Sequence, residues 1–140
     1  MNNYIVATEC AIEHDGKFLI IKRPKGGHAG GLLAFPGGKF EASDADNSDD
    51  AIKSAVKREV LEEVGMDLID PIHYVRTNHF LSESGQGVIN IIYHCKLEKT
   101  PTTVTPSPRE VAEHYWLTYE EIISKDNCPH WLKEYMQKIK

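Results

Sequence analysis

The sequence predicts a mixed α and β class, α/β in its α+β form, and three observations predict it. Runs rich in β-branched and apolar residues outnumber the helical stretches. The two kinds are interleaved along the chain. No repeat or shift of composition divides the 140 residues, so a single domain over 1–140 is expected. A chain of this size buries roughly 68–70% of the surface its unfolded form exposes, enough for a core without staples. With 41% hydrophobic and 26% charged residues, the composition is that of a globular chain rather than a disordered one.

Tyr4–Ile12 and Phe18–Ile21 are the first two strand-like runs. His14-Asp15-Gly16-Lys17 between them is turn chemistry, so the pair reads as a hairpin. Arg23–Gly31 holds Pro24 and four glycines, the mark of a mobile loop. Leu32–Phe35 follows and runs into Pro36-Gly37-Gly38, a sharp break. After an acidic, polar stretch comes the strongest helix signal. Ser48 is the expected N-cap, with Asp49 and Asp50 in the first turn where the helix dipole favours them. Ile52, Val56, Val60 and Val64 recur at i+4, and Gly65 suits the residue after the helix end. Ile72–Phe80 and Val88–Leu97 read as two further strands, joined by Leu81–Gly87. Thr100–Pro108, with three prolines, reads as an extended surface connection. His114–Leu117 is a last strand, and Thr118 with Glu121 makes a capping box for a short helix through Ile123. Pro129 opens a terminal helix carrying Trp131, Leu132, Tyr135, Met136 and Ile139.

Charge is distributed unevenly. The net charge is −5, and the stretch from Glu41 to Glu63, with eight acids against three bases, accounts for all of it. Such a segment repels a nucleic-acid backbone and attracts divalent cations, although a solvated helix face is the competing reading. Within it, Glu59, Glu62 and Glu63 stand at i, i+3 and i+4, which puts all three on one face within a single turn. Like charges so close call for compensation by solvent or by a bound cation. Oxygen clusters of this kind suit hard ions such as Mg²⁺ or Mn²⁺. Arg58 can pair with a neighbouring carboxylate and fix its rotamer. Upstream, Pro36-Gly37-Gly38-Lys39 is a turn whose backbone can approach a ligand or offer a carbonyl oxygen to a metal. Lys39 adds a compact cation where a phosphate can sit.

Gly38-Lys39 followed by a helix bearing Arg58-Glu59-x-x-Glu62-Glu63-x-Gly65 resembles the Nudix hydrolase family. That signature runs Gly, five residues, Glu, seven residues, Arg-Glu, an aliphatic residue, any residue, Glu-Glu, any residue, Gly, aliphatic. Arg58 to Met66 matches its second half at every specified position, and Gly38 fits the opening glycine. The lead-in Phe35-Pro36-Gly37, the opening hairpin, Arg23 and Trp116-Leu117 extend the resemblance over most of the chain. The first half departs from the pattern. Five residues on from Gly38 stands Asp44, and seven back from Arg58 stands Asp50, so the loop is six residues longer, with the insertion near Asp46–Asp49. Either aspartate can stand in for the missing glutamate.

The resemblance implies an α/β/α sandwich with a mixed sheet. It also implies hydrolysis of a nucleoside diphosphate linked to another moiety, such as a nucleoside triphosphate or a nucleoside diphosphate derivative. Divalent ions, Mg²⁺ or Mn²⁺, would be held by Glu62, Glu63, Glu59 and the Gly38 carbonyl region. Glu59, oriented by Arg58, would be a metal ligand or the base that takes the water's proton. Lys39 would contact phosphate or leaving group, with Arg23 as a further substrate contact. One more carboxylate would come from the loop before the last strand, where Glu110 is preferred to Glu113. An alternative is a module of the same fold that holds a nucleotide without cleaving it. Homodimers are common in the family, and a small nucleotide is the expected partner.

Other classes find no support in the residues. Cys10, Cys95 and Cys128 are odd in number and widely spaced, as expected of separate reduced thiols. None of the seven histidines pairs at ligand spacing with Cys or another His. There is no P-loop, dinucleotide fingerprint or serine-nucleophile motif. No apolar run approaches the ~20 residues of a membrane span, and Met1-Asn2-Asn3-Tyr4 does not open a signal peptide, so a cytoplasmic chain with no membrane or stable nucleic-acid partner is expected. His79 and Phe80, beside the Leu81–Gly87 loop, are candidates for contact with a base or else a plain strand end. Trp116 and Trp131 are assigned to the core.

Overall fold

The computed structural model describes residues 3–27, 29–45, 50–99 and 103–139. Strand β1 spans Tyr4–His14, β2 Lys17–Lys22, β3 Leu33–Ala34 and β4 Gly37–Lys39; a 3₁₀ turn at Ala42–Ala45 precedes helix α1, Ala51–Val64. Then come β5 (His73–Leu81), β6 (Gly87–Lys96), β7 (Glu113–Leu117), α2 (Tyr119–Ser124) and α3 (His130–Ile139). The strands form one mixed sheet in the order β3-β2-β1-β6-β5, with β4 also on β1 and β7 on β2. Only β1 and β6 run parallel among the described pairs.

The β1–β2 hairpin turns on Asp15 and Gly16, both at positive φ (51° and 76°), as a two-residue type I′ turn requires. Its strands pair only at Glu13↔Phe18 and His14↔Lys17. Beyond that point the edge of β1 is taken by β4, through Ala7↔Lys39, Thr8↔Gly38 and Glu9↔Gly37. The Pro36-Gly37-Gly38 segment is therefore not the break expected from its composition. A Cβ on Gly37 would stand 2.1 Å from the Thr8 carbonyl oxygen, so glycine is what lets this short strand approach.

Alternation along β1 feeds two cores. Cys10 and Ile12 meet Val56, Val60 and Val64 of α1 on one face. Ala11 joins Phe35 and Ile92 against Leu132, Tyr135 and Met136 of α3 on the other, with Ile122 of α2 beside them. Burying one such aliphatic side chain contributes about 1.5–3 kcal/mol. The result is the α/β/α sandwich with a mixed sheet. No helix among the described residues is long and apolar enough to cross a membrane. The three cysteines are buried and free.

Four local expectations change. Helix α1 is capped by Asp50, whose side chain accepts from the Lys53 N–H at 3.2 Å. Ser48 and Asp49 lie outside the described residues, as does the insertion at Asp46–Asp49. The far end of α1 is as expected, with Gly65 at φ 70° and its N–H on the Leu61 carbonyl. The connection before β7 does more than cross the surface. Thr105 N–H donates to the Val64 carbonyl (2.8 Å) and Ser107 N–H to that of Glu63 (2.7 Å). Those carbonyls have no partner inside the helix, so the strap completes its last turn. The glycine-rich loop after β2 is likewise held rather than open, by Arg23 N–H to Leu32 O at 3.0 Å and Gly31 N–H to Arg23 O at 2.9 Å. Finally α3 begins at His130, one residue after Pro129.

Candidate active site

The sandwich brings the middle of α1 against β4, and Arg58 is the hub of the contact. Its Nε and Nη2 grip Asp44 at 2.6 and 3.0 Å, while Nη2 also reaches the Lys39 carbonyl at 3.0 Å. Nη1 donates to Glu59 Oε1 at 2.8 Å and to Glu62 at 3.0 Å. Asp44 is buried, and the Arg58 fork holds its carboxyl below the usual carboxylate range. A two-point bond of this kind fixes orientation as well as charge. Of the two aspartates left open by the sequence, the structure brings Asp44 to Arg58, and Asp50 is the helix cap.

Glu59 and Glu63 turn inward, and Glu62 does not. Glu59 is 8% exposed and lies against Gly38, where a Cβ would fall 2.0 Å from its Oε2. The Gly38 position is thus reserved for the carboxylate. Burial raises the Glu59 pKa, Arg58 draws it down, and Glu62 and Glu110 push it up. Glu63 is 3% exposed and accepts from the Gly37 N–H at 3.2 Å. Its carboxyl is pushed up to about 8, first by burial and further by Glu110, against the pull of Gly37 and Arg23. Glu62 has a side chain 58% exposed and stands at the rim, tied to Arg58. The trio expected on one face is therefore split between interior and edge.

The strap that closes α1 carries Glu110 to this cluster, as its effect on both Glu59 and Glu63 records. Glu113 goes elsewhere, to Lys22 at 3.4 Å and to the Tyr115 hydroxyl. Among the described residues no three Asp, Glu, His or Cys side chains already converge as a metal site. The donor chemistry nevertheless fits a hard divalent cation. Burial, with Glu110 nearby, pushes the Glu63 carboxyl up to about 8, and oxygen ligands are what Mg²⁺ and Mn²⁺ take.

Gly38 and Lys39 also line a cleft of about 1090 Å³ on the α3 side of the sheet. Arg23 lines it too, acting on Glu63 and on Glu9, so it spans both places. His79, Phe80 and Trp131 form part of the wall, and Trp131 is only partly buried in the core. Glu9, Asn78, Asn90 and Tyr135 also line the cleft, and none of them stands out as a site residue in the sequence. The available signal was an acid and an amide set inside two otherwise apolar strand runs.

A family model described as NUDIX domain matches residues 4–139. The chain belongs to the Nudix family. Its hydrolases act on phosphoanhydride bonds. No curated protein matches closely enough to count as a relative. Among solved structures, the Nudix chain is similar to a MutT protein from Methanosarcina mazei Go1, at 24% identity and TM-score 0.77, covering 98% of this chain and 93% of that one. It is similar to a MutT NUDIX hydrolase from Burkholderia pseudomallei at 21% identity and TM-score 0.78, covering 99% and 100%. The NUDIX domain of Shewanella oneidensis NrtR, complexed with ADP ribose, aligns at 14% identity and TM-score 0.75, covering 99% and 90%. At these identities the likeness establishes the Nudix sandwich.

Proposed function

We propose that this Nudix chain is a metal-dependent pyrophosphohydrolase. It acts on a nucleoside triphosphate or another nucleoside diphosphate derivative, as one domain over 1–140. The observation that carries the reading is Glu59, pinned through Oε1 by Arg58 and buried against Gly38, which itself lines a nucleotide-sized cleft. Glu63, Glu62 and the Gly38 region would hold Mg²⁺ or Mn²⁺, with Glu110 as the further carboxylate. When bound, the ion supplies neutralising charge for phosphate oxygens and a more acidic water. The rest is the work of the chain. Arg58 occupies one oxygen of Glu59, leaving Oε2 to take the proton of the attacking water, and a base in a desolvated pocket suits that task. The water oxygen bonds to phosphorus, the bridging P–O bond breaks, and the departing phosphate keeps the electron pair. Lys39 and Arg23, at the cleft edge, meet the charge that develops on it. Asp44 takes no proton; it locks Arg58. A cytoplasmic location, and a homodimer as the assembly, belong to the same reading.

The test is a panel of nucleotides with Mg²⁺ or Mn²⁺, following release of phosphate, pyrophosphate or nucleotide from wild type and Glu62→Gln. Turnover that stops with chelator and falls on the order of a hundredfold in the variant supports the reading. Equal binding by both proteins with turnover by neither makes the chain a nucleotide-holding module instead.

A further inference from the structure

Hydrolysis leaves a polar cluster on the cleft floor unused. Glu9 on β1 and Asn90 on β6 meet across neighbouring parallel strands, where the register sets Ala7 beside Asn90 and Glu9 beside Ile92. Asn90 Nδ2 donates to the Glu9 carboxyl and, at 3.4 Å, to the Tyr135 hydroxyl oxygen. Asn78 Nδ2 donates to that same oxygen at 3.0 Å. The Phe35 backbone N–H also reaches Glu9. Nδ2 of Asn90 faces the Glu9 carboxyl, whose pKa burial raises against the pull of Asn90, Arg23 and Phe35.

Acceptors outnumber donors here. An ionised carboxyl offers about four acceptor positions, and an amide oxygen two. Both amide hydrogens of Asn90 are spent on the contacts just named, while its Oδ1 is buried with no partner among the described residues. A buried acceptor left unsatisfied is rare in folded proteins, and Asn90 lines a cleft able to admit a ligand. Arg23 acts on both Glu9 and Glu63, which brings this floor and the phosphate end within the span of one bound molecule.

We propose that Glu9, oriented by Asn90, is a specificity-determining residue whose carboxyl accepts from an N–H on the group beyond the diphosphate, selecting a nucleobase with an exocyclic amino group over its oxo counterpart. The inference rests on the pyrophosphohydrolase reading. An amino group supplies the missing donor, whereas an oxo group turns lone pairs toward a floor already rich in them. Leaving a buried acceptor facing another acceptor lowers affinity on the order of tenfold to a hundredfold.

The experiment compares dCTP with dUTP and dATP with dITP on the whole chain. Binding of the non-hydrolysable α,β-methylene analogues is measured by calorimetry, and kcat/KM on the parent nucleotides. The amino member is expected to win by tenfold or more in at least one pair. Glu9→Gln, which replaces one acceptor oxygen by a donor, is expected to erase or reverse that ratio. No preference in either pair, no binding of any of the four, or an equal loss for both members in Glu9→Gln overturns the proposal. If Glu9→Gln does not fold, the wild-type ratios decide alone. Binding preference without turnover sinks the hydrolase reading and spares this one; turnover without preference does the reverse.

Discussion

On one face of the sheet, Arg58, Glu59, Glu62 and Glu63 all come from one helix, α1, whereas the cleft floor on the other face draws Glu9, Asn90, Asn78 and Tyr135 from three strands and a terminal helix. The first group is set by helical spacing and needs only one partner, the β4 turn, to become a site. The second exists only once β1, β5, β6 and α3 have packed. They also differ in charge balance. At the helix, a five-donor guanidinium is saturated by carboxylates and a carbonyl. At the floor, an amide oxygen lies buried without a donor among the described residues. Chemistry common to a family can ride on a local motif, while discrimination among substrates is free to vary with the packing.

The sharpest way to break this contrast is Gly38→Ala. The added methyl would fall 2.0 Å from Glu59 Oε2, forcing the carboxylate off Arg58. Turnover should drop roughly a hundredfold or more, the loss expected from a 1 Å misplacement of a catalytic group, while nucleotide binding at the floor changes little. Steady-state kinetics beside calorimetry would separate the two, and an equal loss in both would merge the regions.

Glu63 gives a smaller effect, readable without substrate. Its folded pKa of about 8 lies above the ordinary carboxylate value of 4.5, so the folded protein holds a proton that the unfolded chain has released. The stability this brings is complete below about pH 4.5 and is lost as pH rises through 8. Without divalent ion, wild type should lose more stability than Glu63→Gln between pH 5 and pH 9, followed by thermal unfolding. Added Mg²⁺ or Mn²⁺ should shrink the difference, since the ion favours the ionised form.

Smallest is Tyr135→Phe, which removes the hydroxyl that both Asn78 and Asn90 donate to. About 1 kcal/mol of stability should go, measured by denaturant unfolding, with the maximal rate preserved and KM raised. A fall in the maximal rate would show that the floor reaches into the chemistry.

Legibility followed the same division. The hairpin, the α1 periodicity with its Gly65 end, and the Thr118–Glu121 capping box could all be read from residues a few positions apart, because they are local arrangements. Asp44 could not be separated from Asp50 by counting, since both are small acids near the same loop; only the fold sets one against Arg58 and the other at the helix start. Nor could the Thr105 and Ser107 strap be foreseen, for its partners are the end carbonyls of a helix some 40 residues earlier.

By itself, then, the sequence determined the acidic helix turn, the glycines that must face it, and the family. Those depend on a 3.6-residue period and on the room left by a missing Cβ. Tertiary structure alone decided which glutamates turn inward, which loop acid joins them, and what lines the cleft. Burial and charge balance at those places are set by groups far apart in the chain, and they come into being only when the two faces of the sheet are covered.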